Sequence, residues 1–345
     1  MKILHLSHTG LEYDSRIQKA MNTCLKNGLE CSFYDLGYSN SLNNLVISGH
    51  LPFFWNKIRD KVDKLMSKIK PDIIHAHDIY AAEICRELKV PFIFDSHENW
   101  LDPPKHPYKN PILRYIKHRG LNKFSELCKE IITETPTLTV NETILELYKK
   151  YSKHVYLLPN YITLEESNNI NFKAKKEGVT YVYVGNDYPN RAYFRNIDRL
   201  VKLFLTGKYG KLTLITNKNP KLNEYVTVQK FMEHRELLNY LTQFTVGLLY
   251  YEPCTDHHYF LANKFSEYAH AGLCILYVKS LTNVARILGD LGIAVGAEDL
   301  EETLKDLRDR REYLEDKGEK IRRFAVKNLI WELYEDNILK AYNQV

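Results

Sequence analysis

Three side chains near the middle of Tyr250–Tyr277 carry the most legible chemistry of the chain: Asn263, Lys264 and Glu267. An apolar run, Thr245–Tyr251, ends before them in a polar loop, and Gly272 follows them, leading into a second apolar run, Leu273–Val278. The pattern predicts strand, loop, short helix and strand, with Asn263 at the helix N-cap and Gly272 stopping the helix. In open parallel sheets ligands bind beyond the carboxyl ends of the strands, so this loop and first helical turn would face a ligand crevice. There Lys264 offers a cation for a phosphate, and Glu267, one turn on, offers acceptors for vicinal ribose hydroxyls. A plainer role also fits, with Glu267 favouring the helix N-terminus and Lys264 a solvated charge.

Other strand ends repeat the theme. Pro91–Asp95 runs into Ser96-His97-Glu98, where His97 could donate a hydrogen bond or stabilise charge developing in a transition state. The run Val179–Val184 leads into Gly185, with Arg191 and Arg195 after it. Guanidinium forks suit a diphosphate, and their charge helps such a group depart. Gly10, Asp14 and Arg16 sit in the first strand–helix connection, where Asp14 is also an economical cap with Arg16 on the helix surface. His75, on the strand Asp72–Ala76, and His77, just past its end, share one face and precede Asp78. No further ligand cluster accompanies them, so a metal is not expected. The glycine-rich pyrophosphate turn of dehydrogenases is absent from the first strand–helix loop.

Asn263-Lys264-Phe265-Ser266-Glu267-Tyr268-Ala269-His270-Ala271-Gly272 followed by an apolar strand resembles the NK-(F/L)-x-EY-x-AxG segment of GT-B glycosyltransferases, in particular family 4, which transfers sugars from nucleotide donors. Asp14-x-Arg16 looks like that family's D-x-R segment, and Pro71–His77 is similar to its PDIIHAH strand. Asp95-Ser96-His97-Glu98 resembles the motif whose His faces the donor sugar, and Gly185 with Arg191 resembles the glycine loop with its basic phosphate ligand. Leu157–Asn160 resembles the turn that introduces the interdomain linker.

The resemblance, running from Asp14 to about Tyr342, implies an α/β architecture of two Rossmann-like domains facing a cleft. Residues 1–160 would form the acceptor domain, completed by a C-terminal helix at 328–345, and 177–327 the donor domain, with Tyr161–Lys176 as linker. It assigns the diphosphate to Arg191, Arg195 and Lys264, the ribose to Glu267 and the sugar to His97, with Gly10, Gly185 and Asn263 in the donor loops. A retaining reaction is expected, in which the leaving phosphate assists attack. Tyr259 stands where many retaining members carry an upstream Glu; an inverting reaction would need a base, for which Glu98, Asp256 and Asp14 are candidates. The nucleotide-sugar is a substrate, and no cofactor or metal is expected.

With 345 residues, 44% hydrophobic and 26% charged, the chain fits two globular domains. No apolar run is long enough to span a membrane, and the start lacks the features of a signal peptide, so a cytoplasmic protein is expected. Six scattered cysteines without a Cys-x-x-Cys pair read as reduced thiols. Net charge is +5, and Lys105–Lys123 holds six basic residues and no acidic one. Pro52-Phe53-Phe54-Trp55 leads into a helix with Lys57, Arg59, Lys61, Lys64, Lys68 and Lys70. Such a helix can lie on an anionic membrane, such as the inner membrane face, or be a solvated face. No nucleic-acid motif accompanies the charge.

These readings converge on transfer of a sugar from a UDP- or GDP-linked donor to a glycan or lipid-linked acceptor, in surface polysaccharide or glycoconjugate synthesis. The alternatives are a sugar-nucleotide epimerase or hydrolase of the same shape, and a non-catalytic nucleotide- or glycan-binding partner. For the first half, strands are predicted at Lys2–Ser7, Cys31–Leu36, Asp72–Ala76, Pro91–Asp95, Glu130–Thr133 and Val155–Pro159, with helices between them. A second alternating series opens at Val179, and the last residues, Leu329–Tyr342, are read as a terminal helix with Trp331 and Leu333 in the core.

Overall fold

Alternation of apolar strands with helices of ten or more residues yields parallel sheets covered on both faces, because each crossover returns the chain to the same end of the sheet. The computed structural model describes residues 1–36, 52–103, 111–189 and 195–345. Two units result, one of Met1–Asn160 with Tyr334–Val345 and one of Tyr161–Leu333.

In the first unit, β1 (Lys2–Ser7), β2 (Glu30–Asp35), β3 (Ile73–His77), β4 (Phe92–Ser96), β5 (Thr137–Thr139) and β6 (Val155–Leu157) pair in the order β2-β1-β3-β4-β5-β6. All pairings are parallel. The crossovers carry α1 (Ser15–Lys26), α2 (Pro52–Ile69), α3 (Asp78–Leu88), α4 (Pro111–Glu134) and α5 (Glu142–Tyr148). Every residue of β3 and β4 is buried, as expected of central strands between two helical layers. The chain leaves β1 toward β2 on one side and β3 on the other, which makes the β1/β3 carboxyl ends the switch point.

The strand expected at Glu130–Thr133 is instead the last turn of α4. Cys128, Ile131 and Ile132 are all buried there, a spacing that a helix satisfies on one face and a strand would split between two. The strand itself comes later and is only three residues long, Thr137–Thr139.

In the second unit, after a short α6 (Leu164–Asn168), β7 (Thr180–Val184), β8 (Lys211–Ile215), β9 (Val226–Gln229), β10 (Val246–Leu249), β11 (Cys274–Val278) and β12 (Ile293–Val295) pair in the order β12-β11-β10-β7-β8-β9. These pairings are also parallel. Its switch point lies between β7 and β10. The helices are α7 (Asp198–Leu205), α8 (His234–Leu241), α9 (Lys264–His270), α10 (Thr282–Leu288), α11 (Leu300–Leu307) and α12 (Arg311–Asn328). Gly272 adopts φ +71 just after α9, the left-handed conformation that ends a helix at little cost only in glycine.

Residues 161–176, read as a linker, belong to the second unit. Tyr161, Ile162 and Ile170 are buried there, and Thr163 with Glu166 forms a capping box on α6. Sequence polarity hid these anchors because they are few and lie outside any period. The terminal segment is not one helix: Trp331–Leu333 is a 3-10 turn of the second unit, and α13 (Asp336–Tyr342) joins the first. Trp331 is 1% exposed, whereas Leu333 is 58% exposed and is not a core residue.

Candidate functional site

The β7/β10 switch point gathers the residues read as donor ligands. Gly185 follows β7 with φ +150, and a Cβ there would lie 2.5 Å from Asp187 Oδ2 and 3.2 Å from Lys264 Nζ. Backbone conformation and space therefore both demand glycine, and its absent side chain is what lets the Lys264 ammonium approach the loop. Lys264 Nζ lies 3.7 Å from the centroid of the Tyr183 ring and 5.4 Å from that of Tyr251. Asp187 Oδ2 is 3.8 Å from Nζ and takes a 2.6 Å hydrogen bond from the Tyr183 hydroxyl. Among the described residues Nζ makes no hydrogen bond, although the side chain is only 11% exposed. Burial pushes this amine down to about 7, with Asp187 pulling it back up and Arg195 adding to the depression. The result is a caged amine whose donors are unused among the described residues, a geometry suited to an anion.

Arg195 reaches the same region, its guanidinium carbon 5.1 Å from the Phe260 ring centroid. Arg191 lies outside the described residues. Glu267, one turn along α9 from Lys264, is paired with His234 Nε2 at 3.4 Å. Asn263 is exposed with helical backbone angles, and its side chain makes no cap hydrogen bond. It holds the N-cap position predicted but does not cap with its side chain, since capping needs extended backbone to aim the side chain at the first amides. Asp256 lies in the 3-10 turn Thr255–Tyr259 after β10, a turn tied down by His257 Nδ1 and Ser280 Oγ at 2.7 Å.

The first unit assembles a second polar group at its own switch point. Asp95, at the end of β4, is wholly buried and receives Arg16 on both oxygens, from Nε at 3.0 Å and Nη2 at 2.5 Å. Arg16 also donates to the Leu158 carbonyl. It is thus an interior ion-pair residue, not a helix-surface one. Burial opposes charge on Asp95, but Arg16 and then His97 hold it well below the usual carboxylate range. His75 Nε2, His77 Nδ1 and His97 Nε2 converge on Asp95 Oδ2 at 3.3, 3.2 and 3.4 Å. With that N–H given to Asp95, His75 Nδ1 accepts from the Tyr342 hydroxyl at 2.8 Å. His5 continues the group, Nδ1 to His77 Nε2 at 3.0 Å and Nε2 near Cys24 Sγ at 3.9 Å, and Cys24 Sγ contacts Tyr342 Oη at 3.3 Å. The side chains close into a buried polar ring.

His97 sits at the outer edge of this ring, 16% exposed. Its Nδ1 lies 3.5 Å from Asp14 Oδ2 and 3.8 Å from Asp78 Oδ2. Burial works against its charge, yet Asp78, Asp95 and Asp14 together raise it to about 9. The interior members behave oppositely: burial first, then the His77 imidazole, push His75 down to about 3, and burial against the pull of Asp95 leaves His77 at about 4. The ring therefore holds neutral imidazoles inside and one imidazolium at its mouth. Asp14 also does the capping expected of it, accepting from the amides of Arg16 and Ile17 at 3.0 and 3.3 Å. Gly10 has φ −62, a conformation open to any residue. Glu98 is exposed, and its carbonyl accepts from Ser96 Oγ at 2.7 Å.

Among the described residues, His5–His75–His77, His5–Cys24–Cys31 and His77–Asp95–His97 each bring ligand atoms within 4.8 Å of one another. The donor chemistry of the last does not favour a cation, because Arg16 already occupies both Asp95 oxygens. In the first, His75 and His77 lone pairs and protons are spent on Tyr342, Asp95 and His5.

Two all-parallel sheets, each with polar side chains gathered at a switch point, define the two-domain Rossmann-like architecture of the GT-B class. Residues 36–166 match the family model described as Glycosyltransferase Family 4. A comparison with curated protein sequences gives no match. Among solved structures, the chain is similar to sucrose-phosphate synthase from Thermosynechococcus elongatus, with 13% identity, TM-score 0.71, and 100% and 99% of the two chains covered. It is similar to HepE of Anabaena in complex with UDP-glucose at 9% identity and TM-score 0.68 over 100% of both chains. The α,α-trehalose 6-phosphate synthase from Burkholderia multivorans gives 10% identity and TM-score 0.67, covering 100% and 98%. At these identities the likeness is one of fold. The match to a glycosyltransferase family thus rests on residues 36–166, and the whole chain carries the GT-B fold.

Sequence reasoning missed Asp187, Tyr183, Tyr251 and His234. Asp187 carried a usable signal, being an acidic residue two positions past a strand-end glycine; the aromatic cage carried none, since strand tyrosines read as core.

Proposed function

We propose that the chain moves a sugar from a nucleoside-diphosphate donor, UDP- or GDP-linked, to a hydroxyl of a glycan or lipid-linked acceptor, with retention, in the assembly of a surface polysaccharide or glycoconjugate. One observation carries the donor half of this reading: Lys264, nearly buried and without a hydrogen bond to Nζ among the described residues, lies against the side-chain-free face of Gly185. Lys264 and Arg195 take the diphosphate and Glu267 the ribose, and the UDP-glucose complex of HepE, which shares the fold, supports a donor of this kind. Two cations at the diphosphate stabilise the charge that appears as the glycosidic bond breaks.

His97, protonated at neutral pH because its carboxylates raise it to about 9, is suited to donate to a sugar hydroxyl and unsuited to act as a base. A retaining reaction, in which the departing phosphate accepts the acceptor's proton, needs no protein base there. The lipid-linked acceptor and peripheral membrane contact rest on the exposed Lys57, Lys61, Lys64 and Lys68 of α2; no described helix is long and apolar enough to cross a membrane.

The test is a thermal-shift panel of UDP, GDP, ADP and CMP with their common sugars, without added metal. A ligand at about 100 times its Kd adds about 2.7 kcal/mol, enough to raise the midpoint clearly. A shift with one diphosphate and its sugar names the donor, and no shift with any of them overturns the reading.

A further inference from the structure

Glu267 is held before any ligand arrives. Its Oε1 lies 3.4 Å from His234 Nε2, and His234 Nδ1 lies 3.0 Å from Glu166 Oε1. Glu166 is itself locked in place. Its Oε2 accepts from the Thr163 amide at 2.7 Å and the Thr163 hydroxyl at 3.0 Å, while its own amide donates to Thr163 Oγ1 at 3.1 Å. The contacts run from the capping box of α6, through the imidazole at the first residue of α8, to a carboxylate on α9. We infer that His234 is a positioning residue for the donor: doubly protonated, it pins one oxygen of Glu267 and leaves the other for the ribose diol. The inference rests on the reading of Glu267 as the ribose acceptor given above.

A cation in the first turn of a helix faces the positive end of the helix dipole. The charge on His234 is therefore owed to its two carboxylates. Burial opposes that charge, and the hydrogen bonds to Glu166 and Glu267 overcome it, raising His234 to about 9. Among the described residues the charged groups facing it are Glu166 from α6 and Glu267 from α9, with Glu233 and Arg235 flanking it in the chain. An isolated surface pair contributes little. Here Glu267 is 14% exposed and the far side of the imidazole is anchored, so the carboxylate has little rotamer freedom left to lose on binding.

The experiment is isothermal titration of wild type, His234→Gln, Glu166→Gln and Glu267→Gln with UDP, GDP and ADP from pH 7 to pH 10, with circular dichroism to confirm folding. At pH 7.5, His234→Gln is expected to bind about tenfold more weakly. The ratio of its Kd to that of wild type should fall as pH passes about 9, because wild type then loses the tether too; titration of the nucleobase cancels in that ratio. NMR of the His234 ring should show titration near 9 in wild type and a return toward ordinary histidine in Glu166→Gln. If Glu267→Gln weakens binding while His234→Gln does not, and the ratio is flat with pH, the inference falls and the ribose assignment stands. If wild type binds none of the three nucleotides, the donor reading fails and the inference with it. An ordinary His234 titration in wild type overturns the inference whatever the nucleotide data show.

Discussion

A diphosphate bound against Lys264 should bring a proton with it. The free amine sits at about 7, so at pH 8 about nine in ten molecules carry it neutral, and at pH 6 about one in ten. Contact with phosphate requires the ammonium, because only the charged form repays burial beside an anion. Binding at pH 8 should therefore take up about 0.9 proton, and binding at pH 6 about 0.1. Titration calorimetry in two buffers of different ionisation enthalpy reads this number directly. Affinity should weaken by roughly fifty-fold between pH 7 and pH 9 from this group alone. Lys264→Met should abolish the uptake and weaken binding at pH 6.5 by roughly 10- to 100-fold, the worth of a charged hydrogen bond. The same variant has a stability signature. The unfolded chain holds the lysine proton up to its ordinary value while the folded chain releases it near 7, so the folded protein gains stability as pH rises across that interval. Below pH 7 the buried charge costs on the order of 5 kcal/mol, which Lys264→Met should recover and which should fade toward pH 10. Tight nucleotide binding at pH 8 with uptake below about 0.2 proton would refute the argument, since it would mean that Lys264 stays neutral beside the ligand.

Four other outcomes are expected. His97→Gln should lower turnover by about 100-fold while changing nucleotide Kd little, and the wild-type rate should decline above about pH 9 as the imidazolium is lost; steady-state kinetics across pH checks both. Asp95→Asn strands the buried Arg16 and should cost about 3–5 kcal/mol in urea unfolding. Gly185→Ala should leave the fold intact by circular dichroism yet abolish nucleotide binding, because the added Cβ collides with Asp187 and crowds Lys264. Binding to vesicles of anionic lipid should fall steeply as salt rises, and reversing Lys57, Lys61 and Lys64 to Glu should remove it; salt-independent binding in a sedimentation assay would assign the contact to something other than charge.

Strand ends were legible because a parallel sheet advertises them twice, as an apolar run and as the polar residues that follow it. β1 falls where the pattern put it, at Lys2–Ser7, and His97 and Gly185 were placed just past strands for the same reason. Glu130–Thr133 misled because Ile131-Ile132-Thr133 has strand propensity, and tertiary burial of one helical face overrode it. Partners were harder than positions. His234 and Glu166 are separated by 68 residues, and Arg16 and Asp95 by 79; nothing local ties such pairs together, so only the crossover order of the sheets reveals them. The charge state of His97 was illegible for the same reason, since Asp14 and Asp78 come to it from other strand ends.

The ring that Tyr342 closes against Cys24 and His75 has an implication for the order in which the molecule can be made. Its other members are translated early, but Tyr342 lies beyond the whole of the second unit. At about 5–20 residues per second, synthesis of residues 161–333 takes roughly 10 to 35 s. For that interval the nascent first unit lacks the Tyr342 hydroxyl that meets His75 and Cys24. Completion of the first unit thus waits on a helix made after the whole of the second.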